Sequence, residues 1–221
     1  MSTATEITLL WAAFTATHLG LASVRVEPRL RAKLGDVGFL GLYSLVALAI
    51  FIPLVRLYFA NRHGGAWLWA IEVGTPLRAA LYVLMTLGVV MTVGSILRPS
   101  PAALAPGASS EVAGLYRITR HPMVMGLALL FALHLVPNAS SADAAFFGGF
   151  VAFSLAGAWH QDARKLHAPP PGFREFHAHT AFIPFTRAGW LQGVKEIPAL
   201  VWLLGIAASA LARWFHPRGL W

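Results

Sequence analysis

Six apolar runs, separated by charged or Pro/Gly-rich breaks, constrain this chain more than any other feature. They extend from Ile7 to Val24, Val37 to Phe59, Pro76 to Leu97, Pro122 to Val136, Ala144 to Gln161 and Ile197 to Phe215. A helix needs roughly 20 apolar residues to cross a bilayer, or about 17 when tightly packed. The fourth run, at 15 residues, would rise only about 22 Å and is the shortest of the six. Only 12% of the 221 residues are charged against 57% hydrophobic, too little charge to coat a soluble globule of this size. The expected fold is therefore all-α: one domain over residues 1–221, a polytopic membrane helical bundle with about six transmembrane spans. The aromatic stretch AWLWAIEV at 66–73 is too short to cross and reads as an interfacial segment.

Lys and Arg sort unevenly among the breaks. Twelve of the 17, from Arg25 through Arg117, Arg120, Arg164 and Lys195, fall in the first, third and fifth loops. Arg56, Arg62, Arg78, Arg213 and Arg218 fall on the other side. The positive-inside rule then predicts a multi-pass membrane protein with both termini extracytoplasmic. Because the first basic residue, Arg25, follows the first apolar run, that run is expected to stay as a span rather than act as a cleaved signal. The net charge of +8 suits anchoring to anionic membrane lipid and calls for no nucleic acid. With no cysteine in the chain, disulfides, thiolate ligands and a cysteine nucleophile are excluded.

Of nine histidines, His18, His134 and His160 fall inside apolar runs, where an imidazole needs a partner. Two readings stay open: coordination of a buried haem by neutral imidazoles from different helices, or interhelical hydrogen bonds. His18 follows Trp11 and Phe14 on its helical face and precedes Arg25, which could meet a haem propionate, as could Arg117 or Arg120. His134 shares a face with Met123, Gly126, Leu127 and Leu130, and Gly126 is expected to leave room for a flat ring. His160 precedes Arg164 by one turn. Upright helices at about 1.5 Å per residue place His18 about 10 Å beyond Arg25 and His134 about 20 Å beyond His121, so His160, about 6 Å beyond Arg164, competes with His134 as the partner of His18. Pro122 opens a helix whose first N–H groups lie beside Arg120 and His121, a place suited to an anion. His63 in NRHGG reads as a solvated loop residue, His167 as another, and His216 as a terminal interfacial one. HAH at 177–179 could hold a metal if extended, and NAS at 138–140 reads as a polar turn.

Three stretches carry a resemblance: HLGLASVRVEPRLRAKLGDVGFLGLYSLVALAIFIPLV, GLYRITRHPMVMGLALLFALHLVPNASSADAAFFGGF and HTAFIPF. They resemble the NnrU family of bacterial membrane proteins over nearly the whole chain. That family is similar to the zeta-carotene isomerase of plants and cyanobacteria, and its name reflects association with denitrification genes. The resemblance implies haem b with His18 and His134 as iron ligands, and an isomerase that works on a polyene when its haem is reduced. A cysteine of the isomerase stands three residues before the second histidine; here the position is Phe131, so a ligand switch there is unavailable.

A second resemblance, of RHPMVMG and DARKLHAPPPGFREFHAHTAFIPF, is to membrane methyltransferases of the isoprenylcysteine and phospholipid type. It implies that Arg120, His121 and Asp162 line one cytoplasm-facing pocket for a nucleotide cofactor, with Met123 replacing a tyrosine and Ala163 a glutamate. The expected function is thus haem b-dependent isomerase or redox chemistry on an apolar small molecule or a nitrogen-oxide pathway component. The alternatives are an accessory subunit of a respiratory membrane complex and a methyltransferase-like enzyme.

Overall fold

A computed structural model describes residues 1–99, 102 and 111–216. Most of the loop beginning RPSPAALAPGASS, and Arg218, lie outside the described residues. The chain order is α1 (Thr3–Leu21), α2 (Glu27–Ala60), β1 (Trp67–Ala70), α3 (Thr75–Leu97), α4 (Leu115–Ile118), α5 (Pro122–Leu135), β2 (Asn138–Ser140), α6 (Ser141–His167), α7 (Phe173–His179), α8 (Trp190–Glu196) and α9 (Ala199–Phe215). Each expected apolar run falls on a helix, as a mostly helical membrane protein requires. Three of these helices, α2, α3 and α6, are long and apolar enough to cross a bilayer, and α8 with α9, bent by 86°, makes a fourth if the pair is one span. At 14 residues α5 rises only about 21 Å, short of a hydrocarbon core about 30 Å thick.

Local chemistry sets the helix ends. The Ser2 hydroxyl accepts from the Thr5 N–H, capping α1, and Glu6 lies in the first turn where the helix dipole favours it. α2, α3 and α5 each start with proline in the first two positions, where its missing N–H costs nothing. Within α2, Gly35 adopts φ 70° and ψ 174°, a conformation that a side chain would strain, and breaks the helix just before the expected span at Val37. Arg31 bridges the break, donating to Glu27 at 2.9 Å and Asp36 at 2.7 Å, with its guanidinium over the Phe39 ring.

The chain forms two compact units. One comprises Met1–Ile71 and Asn138–Phe153. Its core joins Ile7, Trp11 and Phe14 of α1 to Leu54 and Tyr58 of α2 and to Ala142 and Phe146 of α6. The Trp11 indole N–H donates to the Phe146 carbonyl at 3.1 Å, and the Tyr58 and Phe146 rings stack at 3.9 Å. Between helices in lipid, such packing and interhelical hydrogen bonds drive association, because exclusion of water does not. The stretch at 66–73, expected to lie flat at the interface, supplies β1, which pairs antiparallel with β2 in place of the expected polar turn at 138–140. The Gly64 and Ala66 carbonyls accept from Ala142 and Ser141, so the loop satisfies the first N–H groups of α6.

The other unit comprises Glu72–Pro137 and Ser154–Trp221. Here α3 packs on both α5 and α9. Gly88 and Gly126 let the α3 and α5 backbones touch: a Cβ at Gly88 would lie 2.7 Å from the Gly126 carbonyl oxygen. The expectation that Gly126 leaves room for a flat ring is therefore corrected, since the α3 backbone fills that space. Thr86 and Ser209 share a hydrogen bond of 2.8 Å between α3 and α9, and Val90, Met91 and Val201 form a core with Leu115, Ile118 and Met125. Large apolar side chains such as Leu45, Val83, Leu203 and Phe215 are exposed on α2, α3 and α9, faces suited to lipid.

Candidate functional site

The sequence TRH at 119–121 sits between α4 and α5, and the segment HTAFIPF docks along it. The Arg120 N–H donates to the Ala181 carbonyl at 2.9 Å, the Thr119 hydroxyl to Phe182 at 2.8 Å and the Phe185 N–H to Ile118 at 3.2 Å. This register turns the Arg120 and His121 side chains onto α6. Arg120 Nε donates to Asp162 Oδ2 at 2.7 Å, and one of its terminal nitrogens donates to the Thr180 carbonyl at 2.9 Å. His121 Nε2 lies 2.8 Å from Asp162 Oδ1. All three side chains are buried. Sequence reasoning named Arg120, His121 and Asp162, and the fold brings them together. The anion beside the positive start of α5 is the Asp162 carboxylate.

Two further members of the cluster were not assigned to it from the sequence: Phe182, and His177, which was read there only as part of a possible metal-binding HAH. His177 Nε2 stands 3.7 Å from Asp162 Oδ2, and Phe182 lies under the Arg120 guanidinium at 5.3 Å. Burial and the Arg120 charge hold the His177 imidazole below its ordinary pKa, against the pull of Asp162. The signal for both residues was present in HTAFIPF and the preceding HAH, but HAH forms the last turn of α7, not an extended strand, and His179 bonds the Glu175 carbonyl. No group of three or more His, Cys, Asp or Glu able to hold a metal ion occurs among the described residues. Arg117 pairs instead with Glu196 at 2.8 Å, and Glu196 also accepts from the Gly114 N–H.

The two histidines expected to hold iron lie in different units. His18, in the first unit, packs among aromatic rings, with centroids 4.6 Å from Tyr43, 5.1 Å from Phe14 and 5.3 Å from Phe153. Arg25 is exposed beyond the end of α1. His134, in the second unit, is one residue from the end of α5, and its Nδ1 lies 2.7 Å from the Leu130 carbonyl oxygen. Only an Nδ1–H can make that bond, so in the neutral ring the lone pair is on Nε2. The Phe131 and His216 rings each stand 6.3 Å from the His134 ring. His160 is half-buried on α6 in the same unit.

A polar cluster that sequence reasoning missed lies in the first unit. Asp143, 1% exposed, accepts at Oδ1 from the Tyr58 hydroxyl at 2.9 Å and the His63 N–H at 3.3 Å. Its Oδ2 accepts from the Ser140 N–H and hydroxyl and lies 3.0 Å from His63 Nδ1. Ser140 returns the favour by accepting the Asp143 N–H, which is a capping box at the start of α6. His63 is thus no solvated loop residue: its φ of 59° turns the ring onto Asp143, parallel to Trp67. The Ser-x-x-Asp spacing at 140–143 was the available signal.

The chain is 24% identical over 192 residues to the chloroplastic 15-cis-zeta-carotene isomerase of Zea mays, covering 86% of this chain and 51% of that protein. It is 24% identical over 188 residues to the chloroplastic 15-cis-zeta-carotene isomerase of Arabidopsis thaliana, covering 84% and 50%. The chain therefore spans about half the length of the curated relatives it matches. No solved structure matches it. The NnrU protein family model matches residues 6–219, which takes in both units, the docked HTAFIPF segment and every histidine discussed above, and the chain belongs to the NnrU family.

Proposed function

We propose that this chain is an isomerase-like inner-membrane protein that holds haem b and acts on an extended, apolar, polyene-like molecule. The relatives support the reaction class, and the anchoring of His134 supports the cofactor. An imidazole that ligates a metal through one nitrogen is held by a hydrogen bond from the other, and the 2.7 Å contact from Nδ1 to the Leu130 carbonyl supplies that bond within one helical turn. The family resemblance adds His18 as the second ligand, and its surround of Phe14, Tyr43 and Phe153 is an apolar setting that keeps water from an iron ligand. Arg25 is exposed and suits a propionate better than Arg117 and Arg120, which already carry carboxylate partners. When bound, haem iron would supply one-electron chemistry at a potential set by its axial ligands. On this reading the basic loops face the cytoplasm, by the positive-inside rule, which would put Arg120 and Asp162 on that side and both termini outside.

A second reading, electron transfer as a subunit of a respiratory complex linked to denitrification, draws on Phe131. An apolar ring beside His134 offers no exchangeable ligand, and iron that keeps two imidazoles suits electron transfer. The purified protein should show a Soret band that moves on dithionite reduction and is lost in His134→Ala. A colourless, well-folded preparation that stays colourless with added hemin would overturn the haem reading. A red protein that isomerises no added polyene would favour electron transfer.

A further inference from the structure

In the second unit, the end of α3, the start of α4 and the bend between α8 and α9 enclose a cavity of about 360 Å³. Small-molecule sites run from about 300 to 1,000 Å³, so this one has room for a headgroup and its first few carbons. Its floor is apolar, built from Gly94, Leu115, Ile197 and Val201. Its walls carry charge: Arg98, Glu111 and Glu196. Helix α3 is long enough to cross a bilayer and ends at Leu97, so Arg98 stands one residue beyond a span, at the depth of lipid headgroups.

The charges differ in what they already hold. Glu196 accepts from the Gly114 N–H at 2.9 Å, from Arg117 at 2.8 Å and from Gln192 at 3.1 Å, and Arg117 balances its charge. Gly114 reaches it with φ 56°, a conformation that a side chain would strain. The Tyr116 hydroxyl donates to the Arg98 carbonyl and ties the end of α3 to α4. The Arg98 guanidinium itself is exposed and makes no ion pair or hydrogen bond among the described residues. It therefore meets neither carboxylate, although all three line one cavity. Opposite charges held apart above an apolar floor match a molecule with a phosphate and an ammonium at one end and hydrocarbon at the other. Ile96, Leu97 and Leu200, each next in sequence or nearly so to a lining residue, are 66%, 46% and 58% exposed and offer that hydrocarbon a surface.

We infer that this cavity seats the headgroup of one zwitterionic phospholipid, with Arg98 on the phosphate and Glu111 toward the ammonium. A guanidinium presents forked donors that fit phosphate oxygens. Glu111 sets selectivity, because a carboxylate in the wall repels a headgroup of net negative charge and tolerates one that brings its own cation. The site depends on neither the haem nor the polyene proposed above.

The test is native mass spectrometry of the full chain in mild detergent, titrated separately with dioleoyl-phosphatidylethanolamine and dioleoyl-phosphatidylglycerol, with and without excess inorganic phosphate. The expected result is one phosphatidylethanolamine retained after other lipid is stripped, in preference to phosphatidylglycerol. Arg98→Gln should weaken its retention by about tenfold or more, the worth of one lost hydrogen bond to a charged group. Arg98→Lys should weaken it less, and Glu111→Gln should abolish the preference over phosphatidylglycerol. Unchanged retention in Arg98→Gln would overturn the inference, as would a parent that retains no lipid or holds both lipids equally. Release of the lipid by inorganic phosphate at comparable concentration would make this a site for a free anion and overturn it too. None of these outcomes bears on the Soret band, so the haem reading stands or falls separately. Melting of each variant in detergent checks its folding, and the change of preference in Glu111→Gln decides the question if Arg98→Gln does not fold.

Discussion

His121 Nε2 and Asp162 Oδ1 lie 2.8 Å apart, with the histidine side chain 2% exposed and the aspartate 7%, while the other carboxylate oxygen is held by Arg120 at 2.7 Å. One carboxylate from α6 therefore satisfies two adjacent residues of the RHP turn. The arrangement fixes the start of α5 against α6 and lets the HTAFIPF segment close over it.

Removing the carboxylate leaves a buried guanidinium without its counter-charge, so Asp162→Ala should lower stability by about 3–5 kcal/mol. Replacing Arg120 and Asp162 together by well-packed apolar residues should cost much less. Thermal melts in detergent of the single and double variants would check this, and equal losses in both would count against the buried pair.

His177 gives the cluster a pH dependence. Because its folded pKa is lowered from the ordinary 6.5, the unfolded chain binds a proton first as the pH falls. Its contribution to stability is complete above pH 6.5 and is lost as the pH falls through the lower folded value. His177→Gln should flatten the melting temperature across that window. A parent whose stability rises on acidification over the same range would contradict the assignment.

The Gly88–Gly126 crossing leaves no space for a methyl group. Gly126→Ala should destabilise the packing of α3 on α5 by about 1–3 kcal/mol, and Gly126→Leu should prevent the fold. The yield of monodisperse protein after size exclusion, together with its melting temperature, reads this directly. A neutral Gly126→Leu would mean that the two helices do not meet there.

Tyr58 and His63 act on one carboxylate, so their variants should not be additive. Tyr58→Phe alone is expected to cost about 0.5–1.5 kcal/mol, the usual net value of one hydrogen bond, or up to about 3 kcal/mol because the acceptor is charged. In a double-mutant cycle with His63→Ala, a coupling above about 0.5 kcal/mol is expected. A coupling within error of zero would separate the two residues.

The sequence by itself determined that this is a helical membrane protein, because hydrocarbon leaves the backbone no other way to satisfy its hydrogen bonds over such runs. It also determined the helix starts near Pro76 and at Pro122, since proline chemistry acts locally. Arg120, His121 and Asp162 were legible as a group through their motif. His63 was not, because its partner Asp143 is 80 residues away and only the return of the chain through β1 and β2 brings them together. The place of Gly126 was misread for a related reason: a missing side chain looks like a cavity in one dimension and is a helix crossing in three. The tertiary structure alone decided that His216, at the far end of the chain, stands beside His134. Which side chains share a few ångströms depends on how helices pack, and packing is set by contacts between residues that periodicity along one strand of text does not relate.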